Sequence, residues 1–217
     1  DEKIRAVVLT VSGLEIGWAR VQSLRRSLIA LRQADKQVWV YLTEVGMREY
    51  YLASAANTIV LAPAGHLTIT GLAAETMFFK GALDKLGVEA QVIQAGKYKA
   101  AGEPFTRESM SAAHRETMDG LLDDLYDQIL EGIAQDRNKE KEHVRGLIDQ
   151  GLFLAREALA SDLVDHIGYE DTLPDLLRPV IGPVKLIDAD VYRRRRSKII
   201  RRQSLHGDVR TIALMTL

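Results

Sequence analysis

Two runs of β-branched and aliphatic residues, 4–10 (IRAVVLT) and 38–42 (VWVYL), flank one amphipathic segment. This pattern constrains the fold more than any other feature of the chain. Neither run alternates apolar with polar residues, so each reads as a strand buried on both faces, the mark of a parallel sheet covered by helices. Between them Trp18, Val21, Leu24, Leu28 and Leu31 recur at helical spacing, with Arg20, Arg25, Arg26 and Arg32 interspersed. The first 42 residues therefore read as one β-α-β unit, with the right-handed crossover such units take. The chain has 217 residues, which suggests one large domain, or one domain and part of a second.

Further along, residues 47–56 read as an Ala-rich helix, 58–61 as a short strand closed by Pro63 and Gly65, and 67–70 as another strand. Residues 74–86 carry apolar side chains at helical spacing and stop at Gly87, a left-handed cap. Residues 88–95 resemble a further strand. The strongest helix spans about 111–134, with Ser111 as N-cap and a stripe of Met118, Leu121, Leu122, Leu125, Tyr126, Ile129, Leu130 and Ile133. A stripe this wide implies burial on more than one side. Shorter helices are expected at 142–150 and 155–160, followed by a connector punctuated by Pro174, Pro179 and Pro183, and a strand-like stretch at 184–187. The last residues, 211–217 (TIALMTL), again read as a buried strand with nothing behind it. The expected organisation is a domain over 1–180, a Pro- then Arg-rich connector over 181–210, and the first strand of a second domain over 211–217.

The formal net charge of −1 conceals an asymmetry. Residues 191–210 hold eight basic side chains and one acidic, a net +7, which leaves −8 for the rest of the chain. Only Tyr192 supplies an aromatic ring beside the arginines, so a nucleic-acid surface is disfavoured against a solvated interdomain linker or a contact with anionic lipid. No stretch is apolar enough to cross a membrane, and none near the start looks like an export signal. Any anchor is expected in a segment outside the chain.

The chain has no Cys, which excludes disulfides, thiolate metal sites and a cysteine nucleophile. Its five His residues (66, 114, 143, 166 and 206) show no pair at three- or four-residue spacing, so no metal or other cofactor is expected. The G-x-S-x-G, P-loop, H-E-x-x-H and G-x-G-x-x-G signatures are absent. Asp123 and Asp124 diverge by about 100° around a helix and read as a solvated face. The most unusual segment is GKYKAAGEPF over residues 96–105. A lysine becomes a general base where apolar burial and a nearby positive charge disfavour its charged form. Ala100, Ala101 and Gly102 allow close packing around Lys99, and Lys97 is a neighbouring like charge.

Three segments, YYLASAANTIVLAPAG (50–65), YKAAGEPF (98–105) and AREALASDLVDHIG (155–168), stand in the order and spacing of the signal peptide peptidase A (protease IV) family. The chain resembles the amino-terminal half of that family's long, two-domain form. The resemblance implies an α/β fold of the Clp protease/crotonase type and a serine endopeptidase with a Ser/Lys dyad. Lys99, and not Lys97, takes the place of the general base. In catalytic domains of the family the serine stands three residues before the paired tyrosines, in S-G-G-Y-Y; here that position is Met47, followed by Arg48 and Glu49. Ser54 lies on the far side of the pair and reads as a packing residue. The S-P-G-G-type turn after the first strand is replaced by Ser12, Gly13, Leu14 and Glu15.

The resemblance further implies that Lys99 is donated to a serine on the carboxy-terminal domain of a neighbouring subunit in a homo-oligomer. The substrates would be cleaved signal peptides and other hydrophobic peptides, at the bacterial cell membrane and on its extracytoplasmic (periplasmic) side. These 217 residues alone would be inactive. Three alternatives stand beside this reading: a non-catalytic scaffold of the same fold serving oligomer assembly; an acyl-CoA enzyme, which is weakened by the lack of evident oxyanion-hole glycines and an acidic base; and the disfavoured nucleic-acid binder, acting through Arg193 to Arg196.

Overall fold

The computed structural model describes residues 4–183, 185–194 and 196. These fall into two compact units that divide between Glu170 and Asp171.

The first unit is built on the β-α-β pattern. Strand β1 (Ala6–Val11), helix α1 (Trp18–Gln33) and strand β2 (Gln37–Gly46) follow one another, and β1 lies parallel to β2 with Val7 opposite Val38 and Val11 opposite Leu42. Helix α2 (Met47–Ser54) leads to β3 (Thr58–Thr68), also parallel to β2. Two short strands share the far edge of β3: β4 (Leu152–Leu154) antiparallel to it, and β5 (His166–Ile167) parallel to it. β2 is buried from Val38 to Leu42, as a central strand with apolar side chains on both faces must be. Val21 and Leu28 of α1, most of α2, and Ile129, Leu130 and Ile133 of α5 (Ala112–Asp136) complete the core. Each of these large side chains, fully withdrawn from water, contributes roughly 1.5–3 kcal/mol.

The two strands expected at 58–61 and 67–70 are one. β3 runs unbroken through Pro63 and Gly65, because the residues between Leu61 and His66 form a bulge opposite the single residue Thr43. Pro63 is exposed there and has no ladder bond to lose. Gly65 is buried, and a Cβ on it would collide with the Thr43 carbonyl and come within 3.0 Å of the Ala62 carbonyl. Both residues that resemble a strand terminator are what the bulge requires.

The segment from Gly71 to Gly102 also differs from expectation. Only Lys80–Lys85 is helical (α3), not 74–86, although Gly87 does take the left-handed conformation with φ +70°. Residues 88–95 pair with no strand among the described residues. The reason is the lack of a surface to cover among the described residues: Met77, Leu86 and Ile93 are exposed, Ile93 fully. The segment is held by the turn that follows it. The Phe79 N–H donates to the Pro104 carbonyl (2.6 Å), the rings of Phe79 and Phe105 stack at 5.9 Å, and Gly102 packs so closely on Val92 that no Cβ would fit.

α5 starts as expected, with the Ser111 hydroxyl accepting the His114 N–H at 3.1 Å. Its stripe, however, is buried mainly over the last turns; Leu121 is exposed. α6 (Lys141–Gln150) and α7 (Ala155–Ala160) match the expected helices.

In the second unit, α8 (Leu173–Ile181) covers the stretch that Pro174 and Pro179 punctuate, with Pro174 in its first turn and Pro179 inside its last. Pro174 is tolerated because a first-turn N–H has no intrahelical partner. Residues 185–187 are not a strand, and 189–194 are helical, with Asp188 Oδ1 accepting the Asp190 and Val191 N–H groups. Arg195, Lys198, Arg201, Arg202, Arg210 and the strand-like run 211–217 lie outside the described residues.

Candidate functional site

Lys99 sits at the head of a single 3-10 turn, Ala100–Gly102, which passes directly into α4 (Glu103–Thr106). Its backbone N–H donates to the Gly96 carbonyl (3.3 Å), and Gly96 takes φ +103°, a conformation that L side chains rarely adopt. The Lys99 side chain stands exposed, and among the described residues its ammonium has neither a hydrogen-bond nor an ion-pair partner. Among the described residues no serine hydroxyl reaches it. Lys97, the neighbouring cation of the segment, is itself engaged. It turns aside to the Tyr98 hydroxyl (3.1 Å) and the Glu116 carboxylate (3.5 Å), which together hold its ammonium above the ordinary value of 10.5.

The acidic residue of the same segment has a structural job that spacing did not reveal. Glu103 is buried, and its Oε2 accepts the Ser111 N–H (3.0 Å) and meets His114 Nδ1 (3.1 Å), tying the lysine turn to the first turn of α5. The bonds from Ser111, and then His114, hold its carboxyl below the usual 4.5. A carboxylate whose pKa is lowered on folding stabilises the fold above its unfolded pKa and loses that contribution as pH falls through the folded value. Thermal unfolding of the full chain and of Glu103→Ala should therefore show a gap in midpoint near neutral pH. That gap should close as pH drops below 4.5; a gap unchanged in acid would show that packing alone sets it.

The tyrosine segment is likewise built into the framework. The Tyr50 hydroxyl donates to the Leu163 carbonyl (3.0 Å), and complete burial pushes its phenol well above the ordinary value, so it remains a neutral donor. The Asn57 side chain accepts the Val38 N–H (2.8 Å). Asp165 Oδ2 accepts the Ile59 N–H (2.7 Å) while Arg137 grips both carboxylate oxygens. Ser54 is fully buried: its hydroxyl donates to the Tyr51 carbonyl (3.0 Å) or to Asp136 (3.2 Å) and accepts from Arg25 Nη1 (2.8 Å). A hydroxyl locked in such a network has no access to a peptide, so Ser54 is the packing residue its neighbours suggested.

Met47, at the position where the resemblance led us to expect a serine in catalytic domains, is buried in the core at the first residue of α2. The next two residues form a clasp that the sequence did not disclose. Glu49 Oε1 accepts the Leu14 N–H at 2.7 Å and Oε2 accepts the Gly46 N–H at 3.2 Å, while Arg48 Nη1 donates to the Leu14 carbonyl at 3.2 Å. Both backbone groups of Leu14 are thus held by α2. Arg48 also lies over the Trp18 ring, 5.2 Å from its centroid. The only available signal was a Glu in the third position of a helix, where it can reach back to the amide that precedes the helix.

Among the described residues no cluster of three His, Asp or Glu could hold a metal ion. No helix among them is long and apolar enough to cross a membrane.

Comparison with known proteins agrees with the motifs. The chain is 31% identical over 185 residues to the chloroplastic serine protease SPPA of Arabidopsis thaliana, covering 85% of this chain and 27% of that protein. It is 28% identical over 206 residues to Protease 4 of Haemophilus influenzae, covering 88% of this chain and 34% of the relative. The chain thus spans about a third or less of the length of these relatives. Among solved structures, an enoyl-CoA hydratase from Shewanella pealeana superposes with a TM-score of 0.45 at 10% identity, covering 94% of this chain and 72% of that one. A membrane-bound stomatin-specific protease gives 0.41 at 11%, with 78% and 83% covered. The model of peptidase family S49 matches residues 30–178, more than half of the chain, and the chain belongs to that family.

Proposed function

We propose that this chain is the lysine-donating part of a serine protease, with Lys99 as the general base for a serine that another part of the assembled protein supplies. The observation that carries this reading is the contrast between the two halves of the expected dyad. Lys99 is presented to solvent on a turn braced by Glu103, Pro104 and Phe105, whereas Met47 is buried and Ser54 is locked in a polar network. Met77, Leu86 and Ile93, exposed on the segment that leads to the lysine turn, suit a surface that a second protein element covers. Covering Lys99 with apolar surface would favour its neutral form, as base catalysis needs. The serine Oγ proton would pass to Lys99 Nζ as Oγ attacks the peptide carbonyl. Lys99 would then return the proton to the leaving amine, and water would release the acyl group.

Cleaved signal peptides and other hydrophobic peptides are the proposed substrates, with the serine on the carboxy-terminal domain of a neighbouring subunit. The proposed setting is the extracytoplasmic face of a bacterial membrane, reached through an anchor outside this chain. A fluorophosphonate probe, which reacts only with an activated serine, tests the division of labour. It should label the complete protein at a residue outside these 217 and leave the 217-residue chain unlabelled. An adduct on a serine of this chain would overturn the reading.

A further inference from the structure

We infer that His114 is a positioning residue for Lys99: its ring fastens the Glu103 carboxylate, and through it the lysine turn, to helix α5. The inference rests on the reading of Lys99 as the general base and adds the residue that sets where that base stands. A base carried on a turn serves a reaction only if the turn is held still against the rest of the protein. The fixed frame is α5, whose far end is anchored by Ile129, Leu130 and Ile133 in the core and by the pairing of Asp136 with Arg25. The lysine segment brings little anchorage of its own, since Met77, Leu86 and Ile93 stand exposed. Its contacts between Phe79 and Pro104, Phe79 and Phe105, and Val92 and Gly102 join parts of the segment to one another and would move with it.

Among the described residues, side-chain hydrogen bonds connect this segment to α5 and its cap in two places. At the surface Lys97 and Tyr98 meet Glu116, but the Lys97 and Glu116 side chains are 66% and 62% exposed, and a pair so solvated holds its members weakly. The second place is buried. Glu103 Oε2 accepts the Ser111 N–H at 3.0 Å and stands 3.1 Å from His114 Nδ1, with the two side chains only 9% and 13% exposed. An ionised carboxylate only accepts hydrogen bonds, so Nδ1 is the ring nitrogen that carries a proton here. His114 also donates its backbone N–H to the Ser111 hydroxyl at 3.1 Å, so His114, Ser111 and Glu103 close a ring of bonds. Lys99 heads the continuous 3-10 and α4 turns in which Glu103 sits, and a shift of Glu103 passes to it through a single turn of backbone.

The test compares the complete protein with its His114→Ala, His114→Asn and His114→Gln variants. The amide nitrogen of Asn stands where Nδ1 stands and that of Gln reaches the place of Nε2, so these two variants differ in donor position and not in charge. Fluorophosphonate labelling and kcat should fall roughly 10–100-fold for His114→Ala with little change in KM, the cost of misplacing a reacting group by about an ångström. His114→Asn should recover most of that loss and His114→Gln should not, even where the two melt at the same temperature. Hydrogen exchange over residues 96–103 gives a readout that does not depend on catalysis: it should quicken in His114→Ala and His114→Gln and return to the unmodified rate in His114→Asn. An unchanged labelling rate in His114→Ala, or equal rates and equal exchange in the Asn and Gln variants, would overturn the inference. If His114→Ala does not fold, the comparison of Asn with Gln decides. Turnover retained in Lys99→Ala would overturn the reading of the base itself, whereas turnover lost in Lys99→Ala and retained in His114→Ala would overturn this inference alone.

Discussion

Replacing Lys99 with alanine in the complete protein is expected to lower peptide turnover roughly 10²–10⁴-fold, the usual range for loss of a positioned general base, while assembly is unchanged. The side chain is exposed and makes no polar contact among the described residues, so its removal breaks nothing in the fold. The turn that carries it is fixed by other residues, through Glu103 to Ser111 and His114 and through the stacking of Phe105 on Phe79. A purely structural lysine would not have this profile. The loss should fall on kcat with little change in KM, because a base acts on the serine and not on the bound peptide. Lys97→Ala should behave differently, since Lys97 is engaged with Tyr98 and Glu116. Turnover within a few-fold of the unmodified enzyme in the Lys99 variant would leave the non-catalytic scaffold as the better reading.

The largest effect on stability is expected at Asp136. Its carboxylate receives Arg25 Nη2 at 2.6 Å and lies near the Ser54 hydroxyl at 3.2 Å, with both charged side chains almost fully buried. Arg25 also donates to the Tyr51 carbonyl and lies over the Tyr51 ring, 3.9 Å from its centroid. Helix α5 comes so near at this point that a Cβ on Gly132 would stand 2.7 Å from the Tyr51 ring and 2.9 Å from Arg25 Nη2. Asp136→Ala would leave a buried guanidinium without its counter-ion, a change that costs about 3–5 kcal/mol. Chemical denaturation should show that loss as a lower midpoint. The double variant Arg25→Met, Asp136→Leu should lose less, because it removes both charges together. A single variant within about 1 kcal/mol of the unmodified chain would mean that the ion pair is not what joins α1, α2 and α5.

Some of this architecture was legible in the chain because its causes are local. The β-branched runs of β1 and β2, the periodicity of α1, the hydroxyl of Ser111 and the stop at Gly87 all act within a few residues. Features with distant causes were not. Pro63 and Gly65 look like a terminator, yet the bulge they serve is defined by Thr43 on another strand. The helix expected over 74–86 is largely irregular because its apolar positions find little to cover among the described residues, and periodicity does not report whether a partner is there. Pro174 and Pro179 read as connector residues, and α8 accommodates both. At the candidate site, the segment around Lys99 marked a compact turn, which the structure forms at Ala100–Gly102. The Glu49 clasp was not legible, because its two amides lie on different elements and Leu14 is 35 residues away in sequence.

The central claim is that Lys99, and not Lys97, activates a serine that this chain does not contain. The most direct measurement is the rate at which a fluorophosphonate labels the complete protein, compared with its Lys99→Ala and Lys97→Ala variants, since labelling reports activation of the nucleophile without substrate binding or product release. The rate should fall roughly 10²–10⁴-fold for Lys99→Ala and stay within a few-fold for Lys97→Ala. Undiminished labelling of the Lys99 variant, or an equal fall in both, would contradict it.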